Sequence, residues 1–199
     1  DFIAFRLTGV MATDYSLAGR TYAFRIDRKT WDADWLRQLG LEASLFPDPR
    51  PSGTPLGPVT AGGQAATGLP AGTPVAIGGH DHVCAALAAG AIVPGRVFNS
   101  MGTAEALTGA FAERPLTEQD YHSGLVCGCH LVPGCYYWMG GLNASGGSVE
   151  WLRAILGEPP VTYEEFQALL EAAGAEPTGI LYFPYLSGSG SPHTDGLVR

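Results

Sequence analysis

The sequence is poor in positive charge. Lys29 is the only lysine among 199 residues, and the formal net charge is -8. Binding to nucleic acid or to an anionic membrane surface depends on clustered lysine and arginine side chains. The composition therefore excludes nucleic acid and membranes from the expected partners.

Long apolar runs and a targeting segment are missing as well. No apolar run approaches the roughly 20 residues that span a bilayer, and the first residues carry no basic signal-peptide region. We therefore expect a cytoplasmic protein. The chain begins at Asp1 without an initiator Met and stops at Arg199, just after a glycine-rich turn, so we also expect a piece of a longer protein.

Cysteine is scarce, with four residues at positions 84, 127, 129 and 135. A chain that is 46% hydrophobic does not need disulfides to hold its core, so we expect reduced thiols. His80 and His82 would point the same way on a strand, which makes a zinc site conceivable. The Cys-x-Cys-His-x₄-Cys spacing of residues 127–135 lacks the paired knuckles of zinc sites, so no metal ligand is predicted.

The pattern of apolar residues predicts an α/β fold. Strand-like and helix-like segments alternate, and the 28 glycines and 15 prolines cluster in turns. Strands are predicted at 74–79, 96–100, 125–138 and 180–185, with a hairpin turn at Pro133-Gly134. Helices are predicted at 30–40, 83–91, 148–156 and 163–173. Residues 47–73 are predicted to form an extended loop or an edge segment, and a change of character near 92–96 predicts domains 1–94 and 95–199.

Two local predictions concern the helices. Trp31 and Trp35 are four residues apart, so a helix over 30–40 would place both on one face, in the core. Thr162 precedes Glu165 by three residues, a pattern typical of a capping box at the start of a helix.

The segment Gly78-Gly79-His80-Asp81-His82 lies between a predicted buried strand and an alanine-rich helix. Ligands of α/β sheets gather at the carboxyl ends of strands. A carboxylate beside a helix N-terminus is stabilised in its ionised form, and Asp81 could accept a proton from a substrate hydroxyl. A simple cap of the helix explains the spacing equally well.

Two further turns carry glycine after a predicted strand. Gly102-Thr103 could offer backbone N–H groups and a hydroxyl to a phosphate, although an ordinary strand-end turn has the same sequence. The run 140–148 opens the helix that bears Glu150. Its glycines would either let a ligand approach the backbone closely or form a flexible connection between the hairpin and the helix.

Together these segments resemble the FGGY family of carbohydrate kinases in order and spacing. The resemblance lies in Pro74-Val75-Ala76-Ile77-Gly78-Gly79-His80-Asp81-His82, Ser100-Met101-Gly102-Thr103 and Asn143-Ala144-Ser145-Gly146-Gly147-Ser148-Val149-Glu150-Trp151. Thr13-Asp14-Tyr15-Ser16 looks like the stretch before the family's sugar pocket. The loop Gly188-Ser189-Gly190-Ser191 departs from the Gly-Glu-Arg that is frequent in relatives.

The resemblance implies a fold, a reaction and roles for individual residues. The fold would be ribonuclease H-like, of the actin and Hsp70 type, with 1–94 ending a sugar-side domain and 95–199 beginning a nucleotide-side domain. The resemblance implies that Asp81 is the catalytic base and that His82 contacts the sugar. It also implies that ATP is contacted by Gly102, Thr103, Gly146 and Glu150. Asp14, which we expect to be partly exposed, would support the sugar pocket or cap a turn.

The activity implied is phosphorylation of a sugar or polyol hydroxyl by ATP with Mg²⁺, in a xylulokinase-like member. The family's first phosphate loop and its late adenosine motif do not appear, so we expect no activity from this chain alone. Many members are dimers, which allows a homodimer here. A sugar-sensing relative without catalysis and a non-sugar ATPase of the same fold remain alternatives.

Overall fold

The computed structural model describes residues 1–198 and has an α/β fold, as predicted. The helices are α1 (Phe2–Thr8), α2 (Tyr15–Ala18), α3 (Ala33–Gln38), α4 (Ala61–Thr67), α5 (Asp81–Ala88), α6 (Glu118–His122), α7 (Gly146–Leu156) and α8 (Tyr163–Ala173). The strands are β1 (Ala12–Asp14), β2 (Phe24–Arg25), β3 (Thr30–Trp31), β4 (Asp48–Arg50), β5 (Pro55–Pro58), β6 (Pro74–Ala76), β7 (Val97–Met101), β8 (Glu105–Ala112), β9 (Val126–Cys129) and β10 (Cys135–Leu142). Within residues 1–198, no helix is long and apolar enough to cross a membrane.

The strands form one larger sheet and three pairs. The larger sheet has the order β7-β8-β10-β9, and β9 and β10 are antiparallel, with Tyr136 opposite Cys129. Strands β1 and β4 pair in parallel, while β2–β3 and β5–β6 are antiparallel pairs. The short β5–β6 pair leads directly into the segment that carries Asp81.

The chain divides into two compact units. The first unit comprises Asp1–Phe98, Thr108–Asp120 and Val126–Met139. The second comprises Asn99–Leu107, Tyr121–Leu125 and the chain from Gly140 onward. The predicted domain boundary between residues 94 and 95 stays a prediction.

The core of the first unit contains an aromatic cluster. The rings of Phe24 and Trp31 meet edge to face with centroids 5.4 Å apart, and buried Tyr136 packs in the same cluster. Trp31 lies in β3 and Trp35 is 43% exposed, so the prediction that both share a helical face in the core is wrong. The reason is local, because the Asp32 carboxylate caps α3 through the Trp35 N–H at 3.0 Å and starts the helix after Trp31.

Three other predictions are corrected. Residues 47–73 contain the short strands β4 and β5, which agree with an edge segment, and also helix α4, which was not predicted and which the Thr60 hydroxyl caps by accepting from Gly63 N–H at 3.1 Å. The strand predicted at 74–79 ends at Ala76, and only the following Ile77 is deeply buried. The strand predicted at 180–185 does not form in the described chain, where Ile180 and Leu181 are largely exposed.

The other elements that the sequence predicted form close to their predicted positions. The hairpin of β9 and β10 turns at Pro133-Gly134, and α5 and α7 lie within two residues of the predicted starts. Helix α8 begins with a capping box in which Thr162 and Glu165 each bond the other's backbone N–H. Signals that act within a few residues therefore predicted these elements well.

Candidate active site

A tight turn connects β6 to α5 and carries Asp81. His80 is the N-cap of α5, so Asp81 is the first residue of the helix and not its cap. Gly79 is closely packed, because an added Cβ would displace the end of the Leu131 side chain and lie 3.3 Å from Ser16 Oγ. Close packing of the first unit therefore fixes the turn on the side away from solvent.

The Asp81 carboxylate points outward, with 84% of its side chain exposed. Its Oδ1 accepts the backbone N–H of His82 at 2.7 Å and lies 2.9 Å from Nδ1 of the His82 ring. The hydrogen bond from the His82 ring, followed by that from the His82 backbone, lowers the pKa of Asp81 below its ordinary value. The group is thus ionised at neutral pH and accessible, and it does not serve as a plain helix cap.

The two flanking histidines differ in their environments. A carboxylate only accepts hydrogen bonds, so Nδ1 of His82 carries the proton in its contact with Asp81. The other ring nitrogen, Nε2, is not used in that contact. The ring of His80 is 5.6 Å from that of His82 and stacks on Tyr137 at 6.5 Å between centroids. Burial lowers the pKa of His80, so its ring is neutral at physiological pH.

Three potential metal ligands converge at this turn. His80, Asp81 and His82 bring one ligand atom each within 4.8 Å of one another, a set that could hold a cation. Their place at a helix N-terminus works against a positive charge.

The four cysteines are free thiols, and burial raises the pKa of Cys129 to about 12, so its thiol is inert at neutral pH.

Asp14 is fully buried, so the expectation of partial exposure is wrong. Its Oδ1 accepts from Leu17 N–H at 3.0 Å as the N-cap of α2. Its Oδ2 accepts from Ser16 N–H at 2.8 Å, from the Ser16 hydroxyl at 2.7 Å and from the Ser52 hydroxyl at 2.8 Å. Four protein donors enclose the carboxylate, and the structure thus favours the cap over a direct sugar contact.

In the second unit, the Gly102-Thr103 turn binds the start of α7. The Gly102 carbonyl accepts from Gly146 N–H at 2.8 Å, and the Thr103 carbonyl accepts from Ser145 N–H at 2.8 Å and from Gly147 N–H at 3.1 Å. A Cβ on Gly146 would lie 2.6 Å from the Gly102 oxygen. The glycine therefore permits a close approach by the protein's own backbone, where the sequence had indicated a ligand or a flexible connection.

Glu150 is held by neighbours on α7 and α8. Its carboxylate lies 2.9 Å from the Arg153 guanidinium and accepts a hydrogen bond from the Tyr163 hydroxyl. That hydrogen bond from Tyr163, more than Arg153, lowers the pKa of Glu150. The Arg153 guanidinium in turn covers the Tyr163 ring at 3.8 Å. These contacts account for Glu150 as a residue that joins two helices.

The loop that departs from the family pattern is held by hydrogen bonds in place of ion pairs. The Ser189 hydroxyl accepts from Asp195 N–H at 2.8 Å and donates to the His193 carbonyl at 2.5 Å. The Asn143 amide donates to the carbonyls of Ser187 and Ser189 at 3.1 and 3.3 Å. These hydrogen bonds join neutral groups of the loop and of Asn143.

Ser16 and Ser52 lie near the site, and neither had a role predicted from the sequence. The Asp14-x-Ser16 spacing is typical of an Asx turn and could have drawn attention to Ser16. Ser52 reaches Asp14 from 38 residues away, and no signal in the sequence indicates that contact.

Comparisons with known proteins give a consistent result. Residues 1–88 match the model described as "FGGY family of carbohydrate kinases, N-terminal domain". The chain is 33% identical over 199 residues to xylulose kinase of Bacillus subtilis and 34% identical over 201 residues to glycerol kinase of Gloeobacter violaceus. Each alignment covers 100% of this chain and 39% of the relative.

Solved structures agree with these relatives. The crystal structure of xylulose kinase from Rhodospirillum rubrum matches with a TM-score of 0.81 and 34% identity, over 95% of this chain and 38% of that one. That of a kinase from Brucella ovis, titled a "xyloylose kinase", matches with a TM-score of 0.82 and 27% identity, over 100% of this chain and 40% of that one. The chain thus spans well under half the length of its relatives, and its first 88 residues match the N-terminal domain of the FGGY family of carbohydrate kinases.

Proposed function

We propose that the protein containing this chain transfers the terminal phosphoryl group of ATP to a hydroxyl of a sugar or polyol, as a xylulokinase-like member of its family. The observation that carries the proposal is the Asp81 carboxylate, which is ionised, exposed and placed at a strand-to-helix turn. The names of the relatives support a pentulose substrate, because several of them are xylulose kinases.

Asp81 is the proposed catalytic base. Phosphoryl transfer passes through a loose transition state, so the nucleophile needs orientation more than early removal of its proton. A carboxylate with a lowered pKa suits this demand, because it remains ionised and accepts the proton late. The His82 ring holds Oδ1 of Asp81, and the other ring nitrogen, Nε2, is available to a sugar hydroxyl.

We assign the phosphates of ATP to the Gly102-Thr103 turn of the second unit. The turn is pinned by the N-terminus of α7, with Gly146 in contact, and the exposed Thr103 presents its hydroxyl and N–H for phosphate oxygens. Mg²⁺ prefers oxygen ligands, which the phosphates of ATP would supply, and it would neutralise phosphate charge when bound. A nucleotide contact by Glu150 stays a prediction.

The finer fold assignment also belongs to this proposal. We infer that residues 1–94 end the sugar-side domain and 95–199 begin the nucleotide-side domain of a ribonuclease H-like fold of the actin and Hsp70 type. Catalysis by such a fold needs parts of the family pattern that this chain lacks. Activity is therefore expected of the full-length protein, for which a cytoplasmic location and a homodimer remain predictions.

The test measures ADP release by the full-length protein with a panel of pentoses, hexoses, ketoses and polyols. We expect one sugar class to stimulate ATP use, and Asp81→Asn to lower the stimulated rate by about 10²–10⁴-fold, the usual contribution of a general base. Binding of the sugar should survive, because the amide keeps the size of the side chain.

The matched control is Asp34→Asn, which also neutralises an exposed aspartate in the first turn of a helix. Asp34 lies on α3, where its carboxylate is 2.9 Å from the Arg37 guanidinium. This substitution should leave the rate unchanged. If no sugar stimulates turnover, the kinase proposal fails and the sugar-sensing and non-sugar ATPase alternatives take its place. Equal activity of Asp81→Asn and wild type would remove Asp81 from the mechanism.

A further inference from the structure

A buried relay of hydrogen bonds links Asp14 to the backbone that carries the candidate base. Oδ2 of Asp14 accepts the Ser16 hydroxyl at 2.7 Å, and Ser16 Oγ accepts the backbone N–H of His80 at 2.8 Å. His80 immediately precedes Asp81. We propose that Ser16, oriented by Asp14, is a positioning residue that fixes the peptide in front of the catalytic base. The inference rests on the role of Asp81 given in the proposed function.

The chemistry of the three groups fixes the direction of the relay. A carboxylate only accepts, a backbone amide only donates, and a hydroxyl does both. The Ser16 proton must therefore point to Asp14, which turns a lone pair of Ser16 Oγ toward His80 N–H. Asp14 and Ser16 are both 0% exposed, so water does not compete for either bond. A second bond, from Ser16 N–H to Asp14 Oδ2 at 2.8 Å, holds Ser16 itself in place.

The turn before Asp81 is held by the polar relay and by apolar contacts. Leu131 closes the turn beside Gly79, and the Tyr137 ring stacks on His80. The Asp81 side chain, in contrast, is 84% exposed, and its Oδ1 is hydrogen-bonded to the backbone and ring of the next residue, His82. The position of its carboxylate therefore follows the backbone at His80, to which the Ser16 hydroxyl is bonded.

Removing the Ser16 hydroxyl should move the base without touching the substrate. The His80 N–H would lose its acceptor, and a shielded amide without a partner drives the chain toward another arrangement. A displacement of about 1 Å in a reacting group costs up to about 100-fold in rate. The expected signature is a lower kcat with little change in KM, since binding contacts remain.

Ser52 provides a matched control. Its hydroxyl also donates to Oδ2 of Asp14, at 2.8 Å, and the only hydrogen bond seen for it in the described chain is this one. Ser52→Ala and Ser16→Ala thus remove the same kind of donor from the same oxygen. Only Ser16→Ala breaks the connection to His80.

The first measurement is steady-state kinetics of the full-length protein with the sugar that stimulates ATP use most. We expect Ser16→Ala to lower kcat by about tenfold or more, with KM for sugar and ATP within about twofold. Ser52→Ala should keep kcat within about twofold of wild type. Equal losses of kcat in the two variants would overturn the proposal, because they would reflect damage around Asp14 alone.

The second measurement is hydrogen–deuterium exchange of the His80 amide in the same proteins. Exchange should be faster in Ser16→Ala and unchanged in Ser52→Ala, and unchanged exchange in Ser16→Ala would disprove the relay. This readout needs no turnover, so absence of sugar-stimulated activity in wild type would refute the proposed function separately. If Ser16→Ala does not fold, Ser16→Cys replaces it, because a thiol fills the site but is a weak acceptor.

Discussion

The contact between Gly146 and the Gly102-Thr103 turn leads to a sharp prediction for Gly146→Ala. The new Cβ would lie 2.6 Å from the Gly102 carbonyl oxygen. Cβ atoms in proteins essentially never lie closer than 3.0 Å to another heavy atom. The obstacle is backbone, so no side-chain rotation relieves it. The first turn of α7 must therefore move away from the Gly102-Thr103 turn.

The magnitude follows from the bonds at this contact. Three backbone hydrogen bonds join the turn to α7, at 2.8, 2.8 and 3.1 Å, and each is worth about 1 kcal/mol. Strain and weakened bonds together should cost about 2–3 kcal/mol, and the higher helix propensity of alanine offsets up to about 1 kcal/mol. A net local loss of about 1.5 kcal/mol corresponds to roughly tenfold lower protection from amide exchange.

The assay is amide exchange of residues 145–147 in the full-length protein, accompanied by KM for ATP. Gly62→Ala is the control, because Gly62 also lies in the first turn of a helix and its Cβ would meet only Thr60 Oγ1 at 3.8 Å. We expect faster exchange and a higher KM for ATP in Gly146→Ala, and a neutral or stabilising effect of Gly62→Ala. Equal protection in Gly146→Ala and wild type would refute the steric argument.

Two further predictions concern α8 and the pKa of Asp81. Thr162→Ala removes the hydroxyl half of the capping box, where Thr162 Oγ accepts from Glu165 N–H at 3.2 Å, and should lower the free energy of unfolding by about 1 kcal/mol in urea titrations. His82→Ala removes the main cause of the lowered pKa of Asp81 and keeps the backbone hydrogen bond, so NMR titration of that carboxyl should give a higher pKa than in wild type. Because a base acts when ionised, the acid limb of kcat/KM should move to higher pH with it.

Each of these two predictions has a control. Thr162→Ser keeps the hydroxyl and should keep the stability, so an equal loss in both variants would contradict the role of the cap. Replacing the exposed His122 by alanine should leave the titration of Asp81 unchanged. A pKa of Asp81 that is the same in His82→Ala and wild type would show that the ring hydrogen bond does not hold it down.

The sequence predicted the elements whose causes are local. The Thr162–Glu165 capping box, the Pro133-Gly134 turn and helix α7 depend on residues within a few positions of one another, and all three formed. Where a local signal was overlooked, as with Asp32 before Trp35, the prediction failed by a few residues and misplaced Trp31.

The segment that carries the candidate base was also found from sequence. Glycines, a flanking strand and an alanine-rich helix marked residues 78–82, and the partner that lowers the pKa of Asp81 is the next residue, His82. Local chemistry within one turn was enough for that, and the family resemblance named the reaction.

Only the tertiary structure decided which distant residues meet near the site. Ser16 reaches His80 across 64 residues, Ser52 reaches Asp14 across 38, and the start of α7 bonds to Gly102. It also showed Asp14 to be buried, where the sequence had predicted partial exposure. Such contacts arise when separate elements pack, and hydroxyl and glycine residues occur so widely in turns that their spacing along the chain does not encode which partner each will meet.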